Sequence, residues 1–390
     1  MLKDRGILLL AVGETLVWAG LYYVFPALLL RWEADLGWSK VDLTGALALA
    51  VLASGVASPV SGRLIDRGRG PQLMACSAAL GGCGLLVLSQ VTTLSAFYAC
   101  WLVIGLSLSG CLYEPCFALV TRARGSEAKR GIVVITLFAG FAGTLSFPLA
   151  HLISNAYGWR TTAVVFAVGV ITVVAPMLWA GARRVEAGGH ALRSAAPPET
   201  TTDRPFLQRP AFWLLAAGFS LLAVVHGATL HHLLPILAES GWSADAAVFA
   251  AACIGPSQVA GRLAMVAIGN RVSNHALTVT ACLAIGLSVV LLQLSNGAPV
   301  LLGLAILAFG GAYGTVSILR PVVARDILGG AQFGAKSGAL ALPYLVGSAL
   351  APFLGALVWR IGGYATLLPC LAGLAAVGCA LYVRAHRSPR

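Results

Sequence analysis

Gly37-Trp38-Ser39 and, one apolar run later, Gly62-Arg63-Leu64 return in the same order as Gly241-Trp242-Ser243 and Gly261-Arg262-Leu263. Pro26 stands before the first set as Pro235 stands before the second, and Glu114-Pro115 is answered by Arg320-Pro321. Gly143 with Pro148 comes back as Gly347 with Pro352. Ordered matches at one nearly constant spacing point to a duplicated unit. Between the copies, residues 182–210 carry Gly188, Gly189, Pro197, Pro198 and the polar run Glu199 to Arg204, the composition of a connecting segment. The chain is therefore expected to divide into 1–181, a linker at 182–210, and 211–390.

What is duplicated follows from composition. Of 390 residues 58% are hydrophobic and only 10% charged, with a mean hydropathy of +0.87. A water-soluble globular domain is excluded, since such domains run to about a quarter charged. A helix crossing ~30 Å of hydrocarbon needs about 20 residues, so this length suits twelve spans with short connections. The expected fold is all-α and integral to the membrane, with twelve transmembrane helices in two pseudo-symmetric six-helix bundles of parallel topology.

The formal charge of +12 points to nucleic acid in a soluble chain, but here the basic residues serve topology. All of the 26 Lys and Arg except Arg31, Lys40, Arg160 and Arg360 fall on one set of alternating connections, which includes both ends. Cytoplasmic loops carry this excess, so both termini are expected in the cytoplasm. No basic stripe interleaved with aromatics remains for nucleic acid. Lys3 and Arg5 open an apolar run that reaches Leu30, too long for a cleaved leader, and it is read as the first span. The nine cysteines all fall inside expected spans without metal-ligand spacing, so neither metal nor cofactor is expected.

Gly62-Arg63-Leu64-Ile65-Asp66-Arg67 after the second span resembles the signature of the major facilitator superfamily of secondary transporters, and the resemblance covers essentially the whole chain. It departs from that pattern where Gly68-Arg69-Gly70 shifts the closing Gly-Arg, and in the second copy, where Met265 replaces the acidic residue. Gly158-Trp159-Arg160 is a further similarity. The resemblance implies alternating access, a small-molecule substrate, a monomer in lipid and a bacterial inner membrane. It also implies a gating role for Gly62, Leu64, Asp66 and Arg67, and a central cavity lined by spans one, four, seven and ten. The fifth-span Gly-Pro pair and the fourth-span Arg of the family's drug antiporters are missing, which weakens a drug-efflux reading.

Charge inside a bilayer costs roughly 2.5–3.5 kcal/mol per residue on insertion scales, so charge that stays there invites a functional explanation. Only Glu14 and Glu114 of the 14 acidic residues lie in expected spans, with Arg320 in the tenth. Helical spacing puts Glu14, Trp18, Tyr22 and Phe25 on one stripe, and Tyr313, Ser317 and Arg320 on another. Such stripes also arise from plain packing. Glu14, Glu114 and His226 are the candidates for coupling to protons. Trp18, Tyr22, Tyr313, Ser317 and Arg320 are the candidates for lining a substrate cavity. The adjacent His231 and His232 diverge on a helix and make a poor metal pair.

No nucleotide loop, dinucleotide fingerprint, His-Glu-x-x-His or nucleophile elbow occurs, so no enzyme is expected. The reading that results is a secondary active transporter of a small organic solute, an organic anion if Arg320 meets it, with protons as the coupling ion. The alternatives are an exporter of amphipathic or drug-like compounds and, outside transport, a channel or membrane sensor.

Overall fold

The computed structural model describes residues 4–124, 128–188, 206–268, 271–329 and 333–388, and every regular element among them is helical. The chain divides into two compact units, Met1–Ala195 and Ala196–Arg390. Ten helical runs among the described residues are long and apolar enough to cross a membrane. Two of them, Gly131–Ala187 and Ala339–Arg387, run to 57 and 49 residues. Val56, Leu152, Phe249, Val300 and Ile361 are all exposed on the outside. An exterior this apolar suits hydrocarbon and not water. Of the linker residues, 182–187 continue a helix, Phe206–Gln208 form a 3-10 turn, and Pro197, Pro198 and the run to Arg204 lie outside the described residues.

In the first unit the opening span is composite. Helix α1 (Arg5–Val17) is capped by the Asp4 side chain on the Gly6 and Ile7 N–H groups, passes into a π-turn (Trp18–Tyr22), and continues as α2 (Val24–Leu36) to Gly37 at φ 69°. There follow α3 (Lys40–Asp66), α4 (Gly70–Leu88), α5 (Leu94–Cys111), α6 (Tyr113–Arg124), α7 (Ala128–Ala139) and α8 (Ala142–Gly169). A second π-turn (Val170–Val174) leads into α9 (Ala175–Ala187). Each π-turn lies just upstream of a proline, Pro26 and Pro176, which has no N–H for the preceding turn and frees a carbonyl there. The two π-turns meet: a Cβ on Gly20 would fall 2.7 Å from Val170 Cγ2.

Pro115 acts similarly. The expected fourth span is interrupted at Leu112, whose extended backbone separates α5 from α6 just ahead of Glu114-Pro115. Its counterpart α13 (Pro299–Leu328) runs unbroken through Arg320-Pro321. Helix α8 takes in parts of what the sequence suggests are two spans, and its helical geometry breaks between them at Gly158, φ 80°.

The second unit comprises α10 (Pro210–Glu239), α11 (Ala244–Ile268), α12 (Asn274–Leu294), α13 and α14 (Phe333–Arg387), the last leaving helical geometry at Gly362 and Gly363. Helix α10 lies along α14, and α13 packs on α11 and α12. The two units share a packing device. A Cβ on Gly105 of α5 would fall on the Ala50 carbonyl of α3, and one on Gly261 of α11 would fall on the Gly311 carbonyl of α13. Helix pairs in lipid gain little from hydrophobicity, so backbones brought together at small residues hold them instead.

Arg262 departs from expectation. Counted in sequence among loop cations, it is buried within α11, and its Nε donates to the Gly314 carbonyl of α13 at 3.4 Å. The glycine contacts between these helices bring that carbonyl within reach.

Candidate functional site

Glu14 sits towards the end of α1, next to Gly13, which lets the helix press onto α9: a Cβ there would lie 2.8 Å from Leu178. The Glu14 side chain is entirely shielded from solvent, and neither carboxyl oxygen has a hydrogen-bond partner. Cys116 and Trp18 are its polar neighbours, and Glu114 is near enough for its charge to act on Glu14. Glu114 itself is exposed at the start of α6. Buried carboxyls in folded proteins are normally paired, and Glu14 departs from that rule.

The half-buried Trp18 carries an aromatic cluster. Its ring lies 4.9 Å from Tyr22 and 4.8 Å from Tyr113, which stacks on Phe117 at 4.9 Å. Phe25 leaves the expected stripe. The extra residue in the π-turn advances the helix phase, and Phe25 joins the fully buried Trp32 and Trp101, at 5.4 and 4.8 Å. Trp18 and Tyr22 are thus with Glu14, as the spacing predicts, and Phe25 is core.

In the second unit His226 of α10 lies flat against Tyr313 of α13, with ring centroids 3.3 Å apart and planes 2° apart, and Phe309 follows at 4.9 Å. Its Nδ1, like the Thr229 hydroxyl one turn on, is buried without a hydrogen-bond partner. The Tyr313 hydroxyl is 3.2 Å from the hydroxyl of Tyr344 on α14. Arg320 lays its guanidinium over the Tyr344 ring, 3.8 Å from the centroid, with Nη1 buried and unpartnered. Ser317 is exposed and donates back to the Gly314 carbonyl of its own helix. The structure therefore joins His226, Tyr313 and Arg320 in one chain through Tyr344, a residue that sequence reasoning misses because it lies on another helix with no motif around it.

His232 makes the opposite use of imidazole. Nε2 is 2.8 Å from the Pro352 carbonyl and Nδ1 3.0 Å from the Tyr364 hydroxyl. A carbonyl only accepts, so Nε2 carries the proton, and in the neutral ring Nδ1 accepts from Tyr364. This histidine clasps α10 to α14. Among the described residues no group of three His, Cys, Asp or Glu is placed to hold a metal ion.

The motif after α3 ends in the exposed Asp66, with Arg67 and Gly68 (φ 76°) turning the chain and Gly62 and Leu64 half-buried on the last turns. Arg122 of α6 donates to the Ile65 carbonyl at 2.7 Å and to Glu186 of α9 at 3.0 Å, while Arg124 pairs with Asp4 at 2.6 Å. The ends of α1, α3, α6 and α9 are tied together there. At the other end of the unit Trp159 donates its indole N–H to Asp35 at 2.6 Å, and Arg160 reaches the Ser89 and Val91 carbonyls at 2.9 and 3.1 Å. The second unit has the counterpart, Trp359 donating to Glu239 at 3.0 Å. The signal for this repeated indole-carboxylate pair is the recurrence of Trp159-Arg160 as Trp359-Arg360.

Apolar helical runs long enough to cross a bilayer, with ionisable side chains buried among them, define a multi-span membrane protein. Residues 10–335 match the Major Facilitator Superfamily, and the chain belongs to that family. It is a multi-pass membrane transporter. It is 27% identical over 300 residues to the putative transporter AraJ of Escherichia coli (strain K12), covering 74% of this chain and 73% of AraJ. Among solved structures, a peptide transporter POT mutant in complex with sulfate superposes with a TM-score of 0.76 at 14% identity, covering 98% of this chain and 95% of that one. The human organic anion transporter MFSD10 (TETRAN) gives 0.67 at 18% identity, covering 97% of this chain and 99% of that one. These likenesses concern the fold.

Proposed function

We propose that the protein moves a small organic solute, an organic anion in the first place, across a bacterial inner membrane by alternating access with protons as the coupling ion. The observation that carries this reading is Glu14, wholly buried in an apolar span with both carboxyl oxygens unpartnered. Such a group is neutral or ionised according to whether water or a cation reaches it, so a change of conformation can load and release its proton. Arg320 supports the anion, since guanidinium binds carboxylates through paired hydrogen bonds. Glu114 and His226 are secondary candidates for proton handling.

The same reading divides the chain into bundles at 1–181 and 211–390 joined by 182–210, with twelve spans, both termini cytoplasmic, and a monomer as the working unit in lipid. A straight helix of 57 residues would be ~85 Å long at 1.5 Å per residue, far beyond one ~30 Å crossing, so each of the two longest runs is read as two spans turning at Gly158 and at Gly362-Gly363. The exposed Asp66 and Arg67 are assigned to gating.

A second reading, export of amphipathic compounds, is favoured by the cluster of Trp18, Tyr22, Tyr113 and Phe117 beside two carboxylates, a surrounding that suits an organic cation. Proteoliposomes with an imposed pH gradient and radiolabelled hydrophilic organic acids decide between them. Glu14→Gln is expected to keep exchange of the acid and lose its uphill accumulation. Accumulation at the unmodified rate in both Glu14→Gln and Glu114→Gln would overturn the proton mechanism, and pH-driven movement of lipophilic cations alone would favour the second reading.

A further inference from the structure

Arg320 presents an arrangement that goes beyond a lone positive charge. Its guanidinium carbon lies over the Tyr344 ring, 3.8 Å from the centroid, and the five N–H donors it carries in one plane cannot all be served by that ring. Nη1 is buried with no partner, although a guanidinium N–H removed from water ordinarily finds one. With the guanidinium carbon 3.8 Å above the ring centroid, the Tyr344 hydroxyl lies within about 5 Å of it, a span that one carboxylate group bridges.

The hydroxyls of Tyr344 and Tyr313 are 3.2 Å apart and share one hydrogen bond. The phenol that accepts in this bond keeps its own proton for another acceptor. With Tyr313 donating to Tyr344, that proton is on Tyr344, next to the guanidinium. His226 lies face to face on Tyr313 and fixes that ring from the α10 side. The unused capacity of Arg320 and Tyr344 is then donor capacity. No carboxylate stands among these residues to favour an ammonium group.

We infer that Arg320 and Tyr344 together form a carboxylate-reading site in the second unit, with one carboxylate oxygen on Arg320 and the other on the Tyr344 hydroxyl, and with Tyr313 as a positioning residue that turns the Tyr344 proton toward the substrate. This rests on the reading of the protein as an organic-anion transporter and names the group recognised, a carboxylate, together with a specificity residue. Tyr313, Tyr344 and Arg320 are each only half-buried, with Nη1 on the buried side of the guanidinium. The ring wall of His226, Phe309 and Tyr313 favours a carboxylate with an apolar or aromatic body.

The test is equilibrium binding to the purified full chain, by calorimetry and thermal shift, using benzoate, 3-phenylpropionate and lactate beside their amides. At least one carboxylate is expected to bind saturably and its amide not at all. Tyr344→Phe keeps the ring under Arg320 and removes the hydroxyl, and is expected to weaken that carboxylate about tenfold, the effect of one charge-assisted hydrogen bond. Tyr313→Phe should weaken it less, because Tyr344 can still donate once freed. Arg320→Gln should abolish binding, and Arg320→Lys should keep a weak, less selective residue of it. Binding of the amides as well as the acids, unchanged affinity in Tyr344→Phe, or no binding of any of the three acids would each overturn the inference. Carboxylate binding with these mutant effects, but without pH-driven accumulation, would sustain the site and refute proton coupling; pH-driven movement of neutral solutes alone would do the reverse.

Discussion

Replacing Glu14 by Met is expected to make the protein more stable and inactive. The carboxyl is completely buried and neither oxygen has a well-formed hydrogen bond, so the folded state bears its desolvation with little offset beyond the neighbouring Cys116 and Trp18. An unsatisfied buried polar group costs about 1–3 kcal/mol, and more when charged. Met has a similar unbranched reach, needs no partner and adapts to irregular space, so most of that cost should be recovered. Glu14 belongs to the unit Met1–Ala195, and in a domain of that size 1 kcal/mol shifts Tm by about 2–4 °C. An increase of roughly 2–10 °C follows in thermal unfolding of the detergent-solubilised chain. Glu14→Gln keeps an unpaired polar group and should move Tm far less. The transport assay should show loss of pH-driven accumulation in both. A fall in Tm for Glu14→Met would mean that the carboxyl is bonded to the surrounding helices, and the argument that it is retained for function would fail.

Two further outcomes test the scaffold. Gly105→Leu and Gly261→Leu should each lower Tm steeply or prevent accumulation of folded protein, since the side chains would enter the backbone contacts of α3 with α5 and of α11 with α13; Gly55→Ala, in open space on α3, should instead gain about 0.5–1 kcal/mol. His232→Phe leaves the Pro352 carbonyl and the buried Tyr364 hydroxyl without their partner and should cost about 2–4 kcal/mol by urea or thermal titration, whereas His232→Gln, able to donate to the carbonyl, should recover part of it.

The large-scale reading was open to the sequence because it depends on summed quantities. Mean hydropathy averages over every residue, local packing cannot reverse it, and the all-helical, multi-span character follows from it. Placement within a span was less legible. Helical spacing groups Glu14, Trp18 and Tyr22 correctly, then fails at Phe25, because a π-turn ahead of Pro26 shifts the phase, and a periodicity argument assumes an unbroken period. Arg262 misleads in the opposite way. A charge near a span end is read as a loop cation by composition, and only the glycine-mediated approach of α11 to α13 supplies the carbonyl that receives it inside. Tyr344 lay beyond sequence reasoning altogether, as its importance arises from the helix it faces.

The internal repeat separates scaffold from chemistry. Where both halves keep the same device, the device is mechanical: Gly105 and Gly261 each bring two helices into contact within their unit, and Trp159 with Asp35 is matched by Trp359 with Glu239. A duplicated fold needs those twice. Where the halves differ at matched places, the difference has no role in holding a unit together, because one half does without it. Glu114-Pro115 breaks its helix and exposes a carboxylate, while Arg320-Pro321 leaves α13 continuous and sets a guanidinium on an aromatic ring. Glu14 likewise has no acidic counterpart inside α10, where the ionisable side chains ahead of the terminal Glu239 are His226, His231 and His232. Glu14, with both carboxyl oxygens unpartnered, thus belongs to one half, and Arg320, with its Nη1 unpartnered, to the other. Loss of coupling from Glu14→Gln and loss of carboxylate selectivity from Tyr344→Phe should therefore be separable in single variants: the first should leave substrate affinity in place and the second should leave a proton still able to move, as long as some substrate is bound.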